Sequence, residues 1–245
     1  MPLWQRYQKQ LDALHTAPLN FDLERRHEYT EASGWHIDEY EAELPPELPG
    51  HPVPGGSWEI GRRMMQEYKF PDPTIITGIY YPDRPLAERV MLLKARFLFL
   101  TFYFGVKVGS VTDEVRETEK GAARIWGFNY QTLQGHFERG QMDFEIWKWL
   151  ESGKVTFRIH AFSQPGEISN LIYRLGFKLF GRPVQRRFAR RALERMQQLV
   201  QEALKAAARH EPAAPVEATT PQPASADSQA EEKMAEIDEK SKVTK

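Results

Sequence analysis

The chain has no cysteine in its 245 residues, which excludes a disulfide framework and any thiolate metal site. Its seven histidines, His15, His27, His36, His51, His136, His160 and His210, show no HxxxH or HExxH spacing. No zinc centre or other metal is therefore expected. Gly55, Gly56 and Gly135 belong to no phosphate-cradling glycine frame, and Ser163 to no nucleophile-elbow frame, so neither a nucleotide nor another cofactor is expected. The first twenty residues lack the charged-then-apolar layout of a secretory signal and read as a short surface helix. The uninterrupted apolar run from Phe97 to Val106 is about half of what a helical span needs. No transmembrane segment is expected, and these missing signals together point to the cytoplasm.

Charge is nearly balanced overall, with 33 Lys and Arg against 34 Asp and Glu, but not along the chain. Residues 211–245 are Pro, Ala, Ser and Glu without an aromatic, and carry eight acids against four lysines. Such a segment has too little apolar surface to offset its chain entropy, so a disordered acidic tail is expected over 211–245. Three parts follow: an N-terminal helical extension over 1–33, one α+β domain over 34–210, and the tail.

Hydrophobic periodicity supplies the domain's elements. After the breaker-rich Gly50 to Gly56, Ser57 is placed to cap a helix through Trp58, Ile60, Met64 and Met65. Strands are expected at Ile75 to Tyr81, then as a pair at Phe97 to Phe104 and Val106 to Glu117 with Gly105 or Gly109 at a bend or bulge, then at Ala122 to Tyr130 and Met142 to Leu150. Glu151 to Lys154 is a hairpin turn. On the return strand Val155, Phe157, Ile159 and Ala161 share one face, and Thr156, Arg158 and His160 the other. Beyond Pro165 the period becomes helical, and past Pro183 the positions Val184, Phe188, Ala192, Met196, Leu199 and Ala203 make one apolar stripe. The opposite side carries Arg186, Arg187, Arg190, Arg191 and Arg195. An antiparallel sheet wrapped on a long C-terminal helix, Val184 to Ala208, is the fold class these patterns predict.

Gly127-Phe128-Asn129-Tyr130-Gln131-Thr132-Leu133-Gln134-Gly135-His136, followed by Glu138 and Gly140, resembles the first signature of the domain-of-unknown-function family nineteen-ninety. Ala161-Phe162-Ser163-Gln164-Pro165 and the downstream Gln185 resemble its second box and closing helix. The sequence departs from the family at Gln131, Gln134, Gln141 and Gln164, and a glutamine at 141 removes a carboxylate that the family carries there. The family's pattern is similar to the helix-grip (SRPBCC) class, which implies a sheet closed by a helix around an apolar ligand. Some members of that class act as cyclases or hydrolases.

Three functions compete. A carrier of a small apolar or amphipathic ligand would use Trp126, Phe128, Tyr130, Phe157 and Ile159 as lining and His136 and Arg158 as polar anchors, and it would keep room beside Ala189, Ala192 and Ala203. A hydrolase- or cyclase-type enzyme would use His136 as a base oriented by Glu138. A partner- or membrane-binding protein would use Arg186, Arg187, Arg190, Arg191 and Arg195 on an anionic lipid surface. Nucleic acid ranks below lipid, because a recognition helix needs base-reading side chains on a slim module rather than a helix spent closing a sheet. The carrier is the expectation carried forward.

Overall fold

Alternation of apolar and polar residues gives every strand one face for the core, and seven strands join in a single antiparallel sheet. The computed structural model describes residues 1–97, 100–166 and 171–209, with side chains described except at 97 and 171–181; the expected tail lies outside the described residues. In chain order the strands are β1 (His36–Leu44), β2 (Ile76–Ile79), β3 (Val90–Phe97), β4 (Leu100–Thr118), β5 (Gly121–Thr132), β6 (Glu138–Trp149) and β7 (Val155–Pro165). Their spatial order is β1-β7-β6-β5-β4-β3-β2. The helices are α1 (Leu3–Arg6), α2 (Gln8–Leu14), α3 (Ser57–Gln66) and α4 (Leu171–Ala208). A sheet gripping one long helix is the fold class predicted.

Register fixes which side chains share the inner face. Trp126, Phe128 and Tyr130 pair with Ile146, Phe144 and Met142, which in turn pair with Phe157, Ile159 and Ala161. All nine are buried, together with Phe188, Ala189, Ala192, Met196, Leu199 and Val200 of α4 and Met64 and Met65 of α3. Phe70, fully buried in the segment after α3, is packed on Phe144 with ring centroids 4.8 Å apart and on Phe157 at 5.3 Å. The space expected beside Ala189 and Ala192 is thus occupied by protein, and both alanines are essentially inaccessible.

Several elements differ from the sequence reading. The expected pair from Phe97 to Glu117 is displaced: β3 starts at Val90 and ends at Phe97, and β4 starts at Leu100 and runs on through Gly105. Gly105 is not a bend; a Cβ there would stand 2.3 Å from Leu14, so its missing side chain admits α2 against the sheet. Gly109 does mark the bulge, since the register jumps from Val108↔Tyr130 to Val111↔Phe128 and places Gly109 and Ser110 opposite Asn129. A Cβ at Gly109 would lie 2.5 Å from Asn129 Oδ1. Ser57 does not cap α3; Gly56 holds that position, and Glu47 accepts the N–H groups of Trp58 at 2.8 Å and Val53 at 2.9 Å. A carboxylate serves the positive end of a helix better than a hydroxyl. Finally, α4 is continuous through Pro183, and the N-terminal segment is built into the body: Leu11 and Tyr7 are buried against Ile79 and Leu92.

One end of the inner face is closed by an ion pair. Lys148, fully buried, donates to Glu47 at 2.7 Å and to the His51 carbonyl at 2.7 Å, so one carboxylate joins α3, its preceding loop and β6.

Candidate functional site

At the other end of the inner face the two motif boxes and α4 meet. The box on β5 and β6 is locked by Thr132, whose hydroxyl donates to the Gly140 carbonyl at 3.1 Å and accepts the Gly140 N–H at 2.9 Å. This places Glu138 at the start of β6, where its carboxylate accepts from Gln185 of α4 at 3.4 Å. Gln185 also donates to Ser163 of the second box at 3.1 Å and accepts from Arg182 at 2.8 Å. Arg182 completes the group with a two-pronged contact to Asp38 of β1, one prong at 2.9 Å. Asn20, from the N-terminal segment, holds the Glu138 carbonyl at 2.8 Å.

The two carboxylates behave oppositely. Burial works against a charge on Asp38, but the Arg182 guanidinium outweighs it and leaves this carboxyl below its ordinary value. Glu138 keeps some surface exposure yet stands deep among protein atoms. Burial pushes it up to about 7, Arg182 pulling the other way and Asp38 adding to the rise. Beside it, burial raises the phenol of Tyr130, which senses the charge of Glu138, and behind Tyr130 burial raises that of Tyr68 as well. The Tyr130 hydroxyl lies 3.5 Å from the Met142 sulfur, and the buried Tyr68 hydroxyl has that of Tyr130 as its polar neighbour, in a contact looser than a full hydrogen bond among the described residues.

Tyr68 owes its position to a strained turn. After α3 its backbone takes φ 53°, a left-handed conformation usually left to glycine, while Tyr68 and Lys69 donate back to Met65 and Met64. This conformation in a bulky residue costs on the order of 1 kcal/mol. It turns the tyrosine ring inward over Gly78 and points Phe70 into the core.

His136 does not form the base expected of it. Its Nδ1 accepts the backbone N–H of Glu138 at 3.0 Å, so the neutral ring carries its hydrogen on Nε2. Burial moreover pushes the imidazole down to about 4. A ring that is neutral at pH 7 with its lone pair occupied is a structural acceptor, packed at 4.8 Å on Phe104.

The remaining candidates divide by face. Trp126, Phe128, Phe157 and Ile159 are core residues of the inner face, and Tyr130 reaches the Glu138 end. Arg158 lies on the outer face, because consecutive residues of β7 alternate; it pairs with Glu41 at 2.8 Å and stacks 4.3 Å above Trp147. It cannot anchor a ligand between sheet and helix. On α4, Arg186, Arg187, Arg190 and Arg191 are exposed and, with Arg182, Pro183 and Glu194, line an open groove of about 640 Å³. Arg191 is paired with Glu194 at 3.0 Å. Arg195 is set apart, half-buried and donating to the Lys69 carbonyl at 2.9 Å.

Sequence reasoning missed Tyr68, Asp38 and Arg182 as parts of this end. Arg182 and Asp38 are 144 residues apart, and the packing of α4 against β1 brings them together. Gln185 and Ser163 were visible as motif residues without a role. Among the described residues no group of three or more His, Asp or Glu is placed to hold a metal, and no helix is long and apolar enough to cross a membrane.

Among curated proteins nothing matches the chain. Of solved structures, that of Ara h 8.0201 is similar at 14% identity and a TM-score of 0.39, covering 69% of this chain and 99% of that one. A Thalictrum flavum norcoclaurine synthase point mutant in complex with a transition-state analogue is similar at 8% identity and 0.44, covering 69% and 95%. Likenesses so distant say nothing of activity. The family described as Domain of unknown function (DUF1990) has a model that matches residues 23–195, a span that holds all seven strands, Glu138 and the arginine face of α4, and the chain belongs to that family.

Proposed function

We propose that the protein binds a small amphipathic ligand at the Glu138 end of the space between sheet and helix, with the apolar body toward Tyr130 and Phe104 and the polar end toward Glu138 and Tyr68. One observation supports this above the others: a carboxyl deep among protein atoms, next to the buried Tyr130 phenol, whose side-chain partner among the described residues is the Gln185 amide at 3.4 Å and not a cation. A buried polar group left poorly paired costs about 1–3 kcal/mol, and a sequence that keeps one gains from it when a ligand supplies the partner. The reading moves the ligand away from Ala192, which is fully buried.

The test is titration of the full chain with an environment-sensitive naphthalene probe, together with native mass spectrometry of freshly purified protein. Binding weakened about tenfold by Tyr68→Phe or Glu138→Leu, with folding retained, is the expected result. Equal binding by wild type and both variants would refute the placement. A second reading, attachment to anionic membranes, is favoured by the exposed Arg186, Arg187 and Arg190, which form no ion pair within the described residues. A third, acid–base catalysis, is favoured by a carboxyl raised to about 7, the range in which a group both gives and takes a proton at neutral pH. Recovery of a chemically altered ligand would distinguish catalysis from carriage.

A further inference from the structure

Arginines crowd one stretch of α4 in a way that helix stability does not ask for. Arg182, Arg186 and Arg190 follow one another at intervals of four residues, and so do Arg187 and Arg191. Side chains four apart on a helix are neighbours, and like charges at that spacing repel, so a face that is merely solvated gains from acids set among its bases. Between Arg182 and Glu194 the sequence holds no acid. Two of the five arginines are engaged, Arg182 with Asp38 of β1 and Arg191 with Glu194. From the other elements nearby, Tyr40 of β1 senses Arg182 and Arg186, while Asp72, after α3, senses Arg191 and Arg195 and gives its carboxylate to Thr74. Arg186, Arg187 and Arg190 are exposed and have no acid within ion-pair distance among the described residues. Three positive charges thus stand together unmatched, on a chain whose formal net charge is −1.

The amount and the kind of charge narrow the occupant. A guanidinium presents parallel N–H donors that match two oxygens of one phosphate or carboxylate, which a lysine ammonium cannot do. A carboxylate or a phosphodiester brings one negative charge, whereas a phosphomonoester brings about 1.5 to 2 and three strong acceptor oxygens. Two monoesters on neighbouring carbons of one molecule bring about 3 to 4, which balances three arginines spaced over roughly one helical turn. Nucleic acid spreads its single charges along a strand and matches this cluster less well. The groove of about 640 Å³ has room for such a group, but every residue that lines it belongs to α4. A shelf built on one helix does not enclose a free small molecule. It does suit a headgroup held out from a bilayer, because the membrane supplies a high local concentration and further anionic neighbours.

We propose that Arg186, Arg187 and Arg190 recognise a lipid headgroup that carries phosphomonoesters on neighbouring carbons, with Arg182 and Arg191 held at the two ends of the groove by their acids. This sharpens the membrane reading and rests on it, and it is independent of the inner ligand. The experiment is co-sedimentation of the full chain with phosphatidylcholine vesicles that contain either phosphatidylinositol bisphosphate or phosphatidylserine, at equal total charge. The bisphosphate vesicles should be bound about tenfold more tightly, the usual gain from an added hydrogen bond to a charged group. Arg186→Gln with Arg190→Gln should remove that advantage and weaken binding to both kinds of vesicle. Arg186→Lys with Arg190→Lys keeps the charge and loses the fork, so it should weaken bisphosphate binding several-fold and leave phosphatidylserine binding as in wild type. These positions are exposed, and all variants should melt and bind the naphthalene probe as wild type does. Equal binding to the two kinds of vesicle, or a lysine variant as good as wild type, would overturn headgroup recognition while leaving plain membrane attachment in place. Binding to neither would overturn both, and tighter binding of soluble inositol trisphosphate than of the bisphosphate vesicles would overturn the lipid as the occupant.

Discussion

The two ends of the inner face each bury a glutamate, and they deal with it in different ways. Glu47 has a lysine at 2.7 Å, the Trp58 N–H at the end of α3 and the Val53 N–H of the preceding loop, so its charge is matched and the loop it holds is fixed. Glu138 has one amide at 3.4 Å, and it meets the cost of burial by holding its proton more tightly, up to about 7. Matched charge makes a joint; unmatched charge leaves a group that can answer to something else.

The sharpest way to break this contrast is to remove the matching cation. Lys148→Met should leave Glu47 buried and unpaired, at a cost of about 3–5 kcal/mol and a fall in melting temperature of roughly 10 °C. A change under ~1 kcal/mol in denaturant titration would show that the joint is not what holds the loop. Next in size is Ala192→Phe, which should destabilise by about 1–3 kcal/mol without altering probe binding, because the core beside it is full and the ligand is placed elsewhere. A tolerated phenylalanine that blocks the probe would return the ligand to that part of the core.

The open end should betray itself through pH. Glu138 has a folded-state value above its ordinary 4.5, so the stability it contributes is present below pH 4.5 and is lost as pH rises through about 7. His136 has a folded-state value below its ordinary 6.5, so its contribution is present above 6.5 and is lost as pH falls through about 4. Between pH 4.5 and 6.5 the two slopes oppose each other, and wild-type stability should be nearly flat with respect to this pair. Glu138→Gln should expose the loss toward acid, and His136→Gln the loss toward neutrality, each about 1–2 kcal/mol across the window after allowance for partial solvent access. Parallel profiles for wild type and both variants would show that neither group is held as described. The smallest effect concerns α4: Arg187→Gln with Arg191→Gln should change stability by less than ~0.5 kcal/mol while reducing binding to vesicles containing phosphatidylserine and its dependence on salt. Unaltered vesicle binding would leave those arginines as solvated surface.

Much of the fold was legible because it rests on local patterns. The alternation from Val155 to Ala161 and the stripe from Val184 to Leu199 each put their buried residues where period alone demands. The difficulty came where a neighbour distant in sequence decided the matter: the choice between Gly105 and Gly109 for the bulge stayed open because nothing local announces Leu14 above Gly105, and Ser57 read as a cap because Glu47 stands ten residues earlier. The Glu138 end was half legible. Its motif residues stood out, but their roles required Gln185, Arg182 and Asp38 to converge from α4 and β1. Tyr68 gave no signal at all, since a left-handed tyrosine has the same letter as any other.

The bulge at Gly109 and Ser110 makes β4 one residue longer than its partner needs. On either side of it the inner-facing positions change parity, from Val106 and Val108 to Val111 and Val115. Loss of a single codon there would therefore not scramble the strand, as it would elsewhere in the sheet; it would make β4 regular and keep each valine on its present face. What such a shortened chain would give up is curvature, and with it Ser110, the hydroxyl that meets Asn129. The bulge is thus a place where length can vary without loss of the fold, and where a lineage could exchange the shape of the outer face for a straighter sheet in one step.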